Sequence, residues 1–408
     1  MMNEAMVTAP PFPKNYAAEF LVLTEGNGAR VRDRSGKWYM DFGSGIAVNA
    51  LGYGNGRLAD AAREQMMKLI HVSNLYATEP ALALAERLVG SGPFAAVHFG
   101  NSGSEANETA LKYARLSARR TRGEGHHRIL AFSNGFHGRT LGALSCTFTA
   151  KYQDPFRPLV PGCEECPFNE VGELEARLDG SFAAVIVEVV QGEGGLTVMS
   201  GEFARALNRL CRENDVVLIA DEVQTGLART GSLFAYQRVG LEPDIVTLAK
   251  PLAGGLPLSA TLVPARINDL LHVGEHGTTF GGGPVTTAVA LEVWKTLSDP
   301  AFIESVERKG LLLARLLEET GARYGHAVGA VKGAGLLRGL EILEGDLAEI
   351  MAAAREAGLL LLRSGANVIR IAPPLVIAEE EIREGVAVLD RVLAGTVGKG
   401  GKEGGKTS

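Results

Sequence analysis

The sequence predicts an α/β protein whose larger part is a mostly parallel sheet between helices and whose smaller part is α+β. Three observations predict it. Between about residues 95 and 264, short apolar runs alternate with amphipathic stretches, the rhythm of a sheet whose crossovers are helices. After about residue 300 that rhythm stops, and long helical stretches flank strand-like pieces. Throughout the chain, 51 of 408 residues are glycine with no Gly-X-Y period, so they mark tight turns and close backbone approaches rather than a fibre.

The first 60 or so residues read as an arm with a hairpin over ARVRDRSGKWYMDF (29–42), turned at Ser35-Gly36. Six apolar runs then predict strands: AAVHFG (95–100), RILAFS (128–133), AAVIVEVV (183–190), VVLIADEV (216–223), DIVTLA (244–249) and SATLVP (259–264). Between them, SEANETALKYARLSARR (104–120) and GEFARALNRLCREND (201–215) place apolar residues three and four apart, as helices packed on a sheet do. Beyond residue 300, FIESVERKGLLLARLLEETGARYG and LAEIMAAAREAGLLLL predict helices, GLLRGLEI and VIRIAPPLVI predict strands, and EEEIREGVAVLDRVLAG a closing helix. The expected division is an arm contributing to the small domain (1–60), a large domain (61–300), a small domain (301–394) and a disordered tail (395–408). Gly400 to Thr407, GGKEGGKT, satisfies the P-loop pattern, but no strand precedes it and no helix follows, so no phosphate site is expected there.

Hydrophobic residues make up 46% and charged residues 22%, and 41 Lys plus Arg against 47 Asp plus Glu leave a formal charge of −6. That balance fits a soluble globular protein and excludes a basic binder of nucleic acid or anionic membrane. No apolar stretch reaches the roughly 18 residues of a membrane span. Four cysteines are too few for a disulfide framework, and MMNEAMVTAPPFPKN lacks the basic start and apolar run of a signal peptide, so the expected location is a reducing cytoplasm.

Four segments carry chemistry. FGNSGSEANETALKYAR (99–115) runs from a strand end through a Ser-Gly-Ser turn into a helix, offering the N–H groups of Gly103 and Ser104 and the hydroxyls of Ser102 and Ser104 to an anion. Its alternative is an ordinary helix start capped by Ser102 or Ser104. NGFHGRTLGALSCT (134–147) sets Phe136 and His137 beside Arg139, whose planar fork suits a carboxylate. VVLIADEVQTGLARTG (216–231) ends an apolar strand in Asp221 and Glu222, where open α/β sheets bind ligands. A metal is a rival there, although no His or Cys cluster accompanies the pair, and a capping Asp is another. DIVTLAKPLAGGLP (244–257) ends a strand in Lys250, a candidate nucleophile if desolvation lowers its pKa and otherwise a snorkelling strand-end lysine. Cys163-Glu-Glu-Cys166 is a lone C-x-x-C in a Pro-rich loop with no second pair, so no metal site is expected.

One ligand with a phosphate, a ring nitrogen wanting a carboxylate, an aromatic face and a carbonyl open to lysine answers all four segments: pyridoxal 5′-phosphate. The chain resembles a class III, fold-type I pyridoxal-phosphate-dependent aminotransferase. NSGSEANETALKYAR, FHGRT, DEVQTG, LAK and HGTTFGG occur in that family's order over about Tyr16 to Leu393. SGIAVNALG, HVSNLY and NVIRIAPPLVI are similar to its acetylornithine branch.

The resemblance implies roles. Lys250 would bind the cofactor covalently and later shuttle a proton, and Asp221 would pair with the pyridine nitrogen. Phe136 and Val223 would flank the ring, Gln224 would reach its phenolic oxygen, and Ser102, Gly103 and Ser104 would take the phosphate, joined by Thr279 from a neighbouring subunit. Arg139, Glu193, Thr278, Arg370 and Tyr16 would meet substrate. Arg139 would hold the carboxylate far from the reacting amine and Arg370 the near one, with Glu193 covering Arg370 when the donor has none; a permanent Glu193–Arg370 ion pair is the alternative. The implied protein is a homodimer with shared sites that moves an amino group from N-acetylornithine to 2-oxoglutarate, and N-succinyl-diaminopimelate is a further donor of that branch. Other class III donors (ornithine, 4-aminobutyrate, a carrier-bound amino acid) form the second reading. A non-catalytic binding protein is a third, which Lys250, Asp221 and both arginines disfavour. Departures from the family's pattern are Val189 after Glu188, Gly283 before Pro284, and Gly56-Arg57; they bear on substrate preference rather than on Lys250 or Asp221.

Overall fold

The computed structural model describes residues 6–8, 10–16 and 19–397. Near the N-terminus β1 (Met6–Thr8) pairs antiparallel with β2 (Glu19–Leu21), and β3 (Leu23–Asn27), β4 (Arg30–Asp33) and β5 (Trp38–Asp41) form a meander. The turn between β4 and β5 falls at the expected place: Gly36 has φ +92°, and Asp33 Oδ1 accepts from the backbone N–H groups of Ser35 and Lys37.

The central sheet contains β6 (Ala96–Gly100), β7 (Arg128–Phe132), β8 (Cys163–Cys166), β9 (Phe182–Val187), β10 (Val217–Asp221), β11 (Ile245–Leu248) and β12 (Ser259–Val263), in the order β6-β12-β11-β10-β9-β7-β8. The strands from β8 through β11 are mutually parallel, and β12 is antiparallel to both its neighbours. Every residue of β9, β10 and β11 is buried, which explains why their sequences are continuous apolar runs rather than alternating ones. The helix Gly103–Arg122 covers one face; Ser102 caps its start, accepting from Glu105 N at 3.2 Å, and Arg119, Arg120 and Arg122 complement the dipole at its end. The helix Gly201–Glu213 buries Phe203, Leu207 and Leu210, each contributing about 2 kcal/mol by leaving water.

From β7 the chain steps outward to β8, whereas β9, β10 and β11 proceed the other way. The reversal between β7 and β9 opens a crevice at the carboxyl ends of these strands, where open parallel sheets bind ligands. Residues 134–137, Glu188 and Lys250 follow those strand ends, and Asp221 is the last residue of β10.

The C-terminal part adds β13 (Val328–Ala334), β14 (Leu337–Ile342), β15 (Leu359–Leu360), β16 (Leu362–Ser364) and β17 (Val368–Ile371). Four of these make the sheet β13-β14-β17-β16, while β15 pairs parallel with β5 and carries the N-terminal meander. The turn between β16 and β17 docks on the segment after β9: Gly365 N donates to Glu193 O at 2.8 Å and Ser364 Oγ to Gly192 O at 2.8 Å. That contact carries Arg370 to the crevice. Among the described residues no helix is long and apolar enough to cross a membrane.

Three expectations need correction. The helix predicted through LAEIMAAAREAGLLLL ends at Glu356, because Gly358 takes φ +86° and the following leucines pair with β5 as β15 and continue into β16. Cys163–Cys166 is the edge strand β8 and not a loop, and two residues three apart on a strand point to opposite faces, so the C-x-x-C cannot chelate. Cys163 Sγ instead lies 3.5 Å from Cys146 Sγ. Finally, the last helix, Glu379–Thr396, takes in the first two residues assigned to the tail; residues 398–408, with the GGKEGGKT segment, lie outside the described residues.

Candidate active site

A cavity of about 390 Å³ occupies the crevice, and eight of the nine residues expected at the cofactor line it. Asp221 ends β10 and is 4% exposed. Its Oδ2 accepts from Asn107 Nδ2 at 2.7 Å and from His137 Nδ1 at 2.8 Å, and its Oδ1 from Val223 N at 3.0 Å. Burial alone would lower the imidazole pKa of His137, but the hydrogen bond to Asp221 and its negative charge outweigh burial and raise it. A carboxylate held this way is placed to accept from a cationic ring N–H. Glu222 points elsewhere, accepting from Tyr236 N at 2.7 Å and Thr225 Oγ1 at 2.5 Å, so the Asp-Glu pair does not converge as a metal site.

Lys250 follows β11 at the start of a short 3₁₀ turn, and its amine has no hydrogen-bond partner among the described residues. What surface the side chain keeps faces the cavity it lines. Desolvation pushes its pKa below the ordinary lysine value, opposed by the charges of Asp221 and Glu188 and reinforced by Arg370. A neutral amine is thereby made more accessible.

At the other end of the cavity, Gly103 and Ser104 open the 20-residue helix, where first-turn N–H groups have no partner within the helix. Gly103 is required by space: a Cβ there would meet Val223 Cγ1 at 2.6 Å and fill the cradle. Ser104 Oγ accepts from Arg139 N at 3.2 Å, and Ser102 is also the cap, so the two readings of this segment coexist. Phe136 and Val223 wall the space between Asp221 and Lys250. Donor N–H groups at one end, a carboxylate at the other, apolar walls and a free lysine fit pyridoxal 5′-phosphate.

Arg370, on β17 and 3% exposed, donates from Nη1 to Glu193 Oε1 at 2.6 Å, to Gly192 O at 2.9 Å and to Gln224 Oε1 at 3.1 Å. Its buried Nε has no partner among the described residues. Arg139 is exposed beside the cavity, its guanidinium 3.6 Å from the ring centre of Tyr152 and 5.6 Å from that of Phe136.

Three expected residues are not brought to this cavity within the chain. Thr279 is exposed and lines a separate cavity with His71 and Phe280. Thr278 accepts at Oγ1 from Asn101 Nδ2 at 3.3 Å, one residue removed from the cavity wall. Tyr16 is exposed and packs edge-on against Phe12 at 6.1 Å.

Three others have no assigned role in the sequence analysis, although His137 is named there beside Phe136. Asn107 also donates to His137 O at 2.7 Å and accepts from Thr247 Oγ1 at 2.8 Å, and His137 orients Asp221. Glu188 accepts from Phe136 N at 2.8 Å and Gly192 N at 2.9 Å, joining the ring wall to the segment that carries Glu193. Burial raises its pKa, partly offset by His137. The signals were present as a polar residue one turn into the SEANETA helix, a His beside Phe136 and a Glu at a strand end. Apart from Gly192, four residues after Glu188, the partners named lie 30 to 140 positions apart in the chain, which spacing does not reveal. Among the described residues no three His, Cys, Asp or Glu side chains are grouped to hold a metal.

A family profile described as "Aminotransferase class-III" matches residues 12–393. A probable mitochondrial acetylornithine aminotransferase of Dictyostelium discoideum is 42% identical over 379 residues, 91% of this chain and 83% of the relative. The solved ornithine aminotransferase of Toxoplasma gondii ME49 superposes with TM-score 0.90 at 32% identity, covering 94% of this chain and 93% of that one. An amine transaminase from an uncultivated Pseudomonas species, solved in its pyridoxal-phosphate-bound form, gives TM-score 0.89 at 29% identity over 94% and 98% of the two chains. The chain belongs to the class III aminotransferases: it is a pyridoxal-phosphate-dependent enzyme of fold type I that takes an amino donor and a keto acid.

Proposed function

We propose that this enzyme moves the δ-amino group of N-acetylornithine to 2-oxoglutarate, giving N-acetylglutamate 5-semialdehyde and glutamate. When bound, pyridoxal phosphate supplies a carbonyl that takes the amino group and a ring that draws electrons from the carbon losing its proton. Asp221, fixed by Asn107 and His137, would accept from the ring N–H. Lys250, which would hold the cofactor, would hold and move that proton at Nζ. Gly103 and Ser104 anchor the phosphate.

The observation that carries the donor assignment is the 2.6 Å pair between Arg370 and Glu193. An ω-amine donor has no carboxylate beside its reacting carbon, and a buried arginine left alone there is costly. Glu193, half-buried, satisfies Arg370 while such a donor is bound and yields it to the near carboxylate of 2-oxoglutarate. Arg139 then holds the far carboxylate of either substrate. The likeness to the acetylornithine relative, at 42% identity, favours the acylated donor over free ornithine.

The enzyme is proposed to act as a homodimer, with Thr279 and Tyr16 completing sites across subunits. Their placement away from their own chain's cavity supports this, as do the exposed apolar side chains Met67, Leu75, Tyr76 and Phe280. A monomer with full activity contradicts it. A cytoplasmic location is part of the same reading. Initial rates with N-acetylornithine, ornithine and 4-aminobutyrate at several 2-oxoglutarate concentrations test the assignment: parallel double-reciprocal lines and highest kcat/KM for N-acetylornithine are expected. Preference for either other donor contradicts it.

A further inference from the structure

The four cysteines take no part in the cavity described above, yet two of them meet. Cys146 Sγ donates to Cys163 Sγ at 3.5 Å. Cys146 follows the short helix Leu141–Ser145 and is buried, while Cys163 opens β8, the edge strand of the central sheet, and is half-buried. Both pack in the apolar cluster between that sheet and the helix Gly103–Arg122; Cys166 and Cys211 pack on the opposite face. The fold therefore selects one pair among the four thiols. A disulfide bond is about 2 Å long, so about 1.5 Å of approach would close it. The partners able to give that movement are a single helical turn and a strand paired on one side only, to β7.

The two thiols are also chemically unequal. The hydrogen bond from Cys146 holds the Cys163 thiol below the ordinary thiol range; burial opposes this and the Arg115 guanidinium adds to it. The same contact, with burial, pushes Cys146 up. Arg115 is fixed there by donating to Pro161 O at 2.8 Å and His127 O at 2.9 Å. Cys163 is thus the thiolate that attacks, and Cys146 the thiol that resolves.

What lies next to Cys146 connects the pair to the cofactor. Thr147 Oγ1 accepts from His137 N at 2.9 Å and donates to Ala143 O at 3.0 Å, and His137 holds Asp221 at 2.8 Å. Drawing Cys146 toward β8 pulls on the adjacent hydroxyl and so on the residue that aims Asp221. We propose that Cys146 and Cys163 form a reversible dithiol–disulfide switch for peroxide, whose closure loosens Asp221 and weakens the hold on pyridoxal phosphate. The Cys163 thiolate attacks hydrogen peroxide, forming an S–O bond as the O–O bond breaks and hydroxide leaves. The Cys146 sulfur then displaces that oxygen, forming S–S and breaking S–O. Its proton departs with the oxygen as water, and the proton lost earlier by Cys163 turns the hydroxide into a second water. Two thiols are oxidised and one peroxide is reduced; a dithiol reductant reverses the change.

The test treats holoenzyme with hydrogen peroxide, alkylates the remaining thiols after denaturation and maps the digest by mass spectrometry. Expected is a crosslink between the Cys146 and Cys163 peptides, lighter by two hydrogens and removed by dithiothreitol. It should form equally in C166A and be absent from C163A, which keeps wild-type activity before oxidation. By equilibrium dialysis, oxidised wild type should bind pyridoxal phosphate about tenfold more weakly, as when a contact orienting a site residue is lost, and dithiothreitol should restore it. C163A treated in the same way should show no change. Absence of a crosslink, a crosslink through Cys166, or sulfinic acid at Cys163 overturns the pair. A Cys146–Cys163 crosslink that leaves the cofactor's dissociation constant unchanged overturns the switch.

Discussion

His137 donates from Nδ1 to Asp221 Oδ2 at 2.8 Å, and both side chains are buried almost completely. The carboxylate accepts, so the contact fixes which ring nitrogen bears the proton, and it joins the FHGR segment to the end of β10. Asp221 is thereby aimed at the cavity.

Removing the imidazole should weaken that aim. His137→Ala leaves Asp221 with the Asn107 and Val223 donors and is expected to lower kcat roughly ten- to hundredfold, the range usual when a group orienting a site residue is lost. It should also raise the dissociation constant for pyridoxal phosphate measured by equilibrium dialysis. Unchanged values of both contradict the role.

Glu193→Ala should separate the two half-reactions. Arg370 would lose its partner at 2.6 Å, while 2-oxoglutarate brings a replacement. The single-turnover rate with N-acetylornithine is expected to fall about tenfold or more, with the 2-oxoglutarate half-reaction unchanged or faster. Equal losses in both would make the pair a permanent structural contact.

The cradle at Gly103 can be probed by volume. Gly103→Ala places a Cβ 2.6 Å from Val223 Cγ1, too close without movement, and should weaken cofactor binding. Val223→Ala in the same chain makes room and should restore part of that loss, a coupling visible in a double-mutant cycle. Additive losses contradict direct contact.

Lys309 provides a prediction about pH. It is buried, donates to Leu375 O at 2.5 Å, and desolvation lowers its pKa from 10.5 to about 8. Between about pH 8 and 10.5 the unfolded chain binds more protons at this lysine than the folded one does. Stability attributable to it therefore rises with pH across that window, as the cost of burying the charge is relieved. The melting temperature of wild type relative to Lys309→Met should climb from pH 8 to 10. A constant difference contradicts the shift.

Much of this fold was legible because its chemistry is local. Phe182–Val187 and Val217–Ala220 are short, wholly apolar and each followed at once by a carboxylate, a pattern that suits a strand covered on both faces. Strand β8 was not legible, since Cys-Glu-Glu-Cys has neither alternation nor a continuous apolar run and earns its place by pairing with β7. The leucines after Gly358 continue a helical pattern, and what overrides it is the edge of β5, 319 positions earlier, to which Leu359 pairs through Met40. The site divides the same way. Lys250, Asp221, Phe136 and Gly103 stand at strand ends and turns with their own local signatures, whereas Glu188, Asn107 and His137 act through partners the chain brings together only on folding.

The central claim is that one cavity serves an acylated ω-amine donor and 2-oxoglutarate in turn. The most direct measurement is the visible absorbance of lysine-bound cofactor in the purified holoenzyme, titrated first with N-acetylornithine and then with 2-oxoglutarate. The account predicts that the band disappears with the first and returns with the second. A band that N-acetylornithine leaves unchanged would contradict the donor assignment.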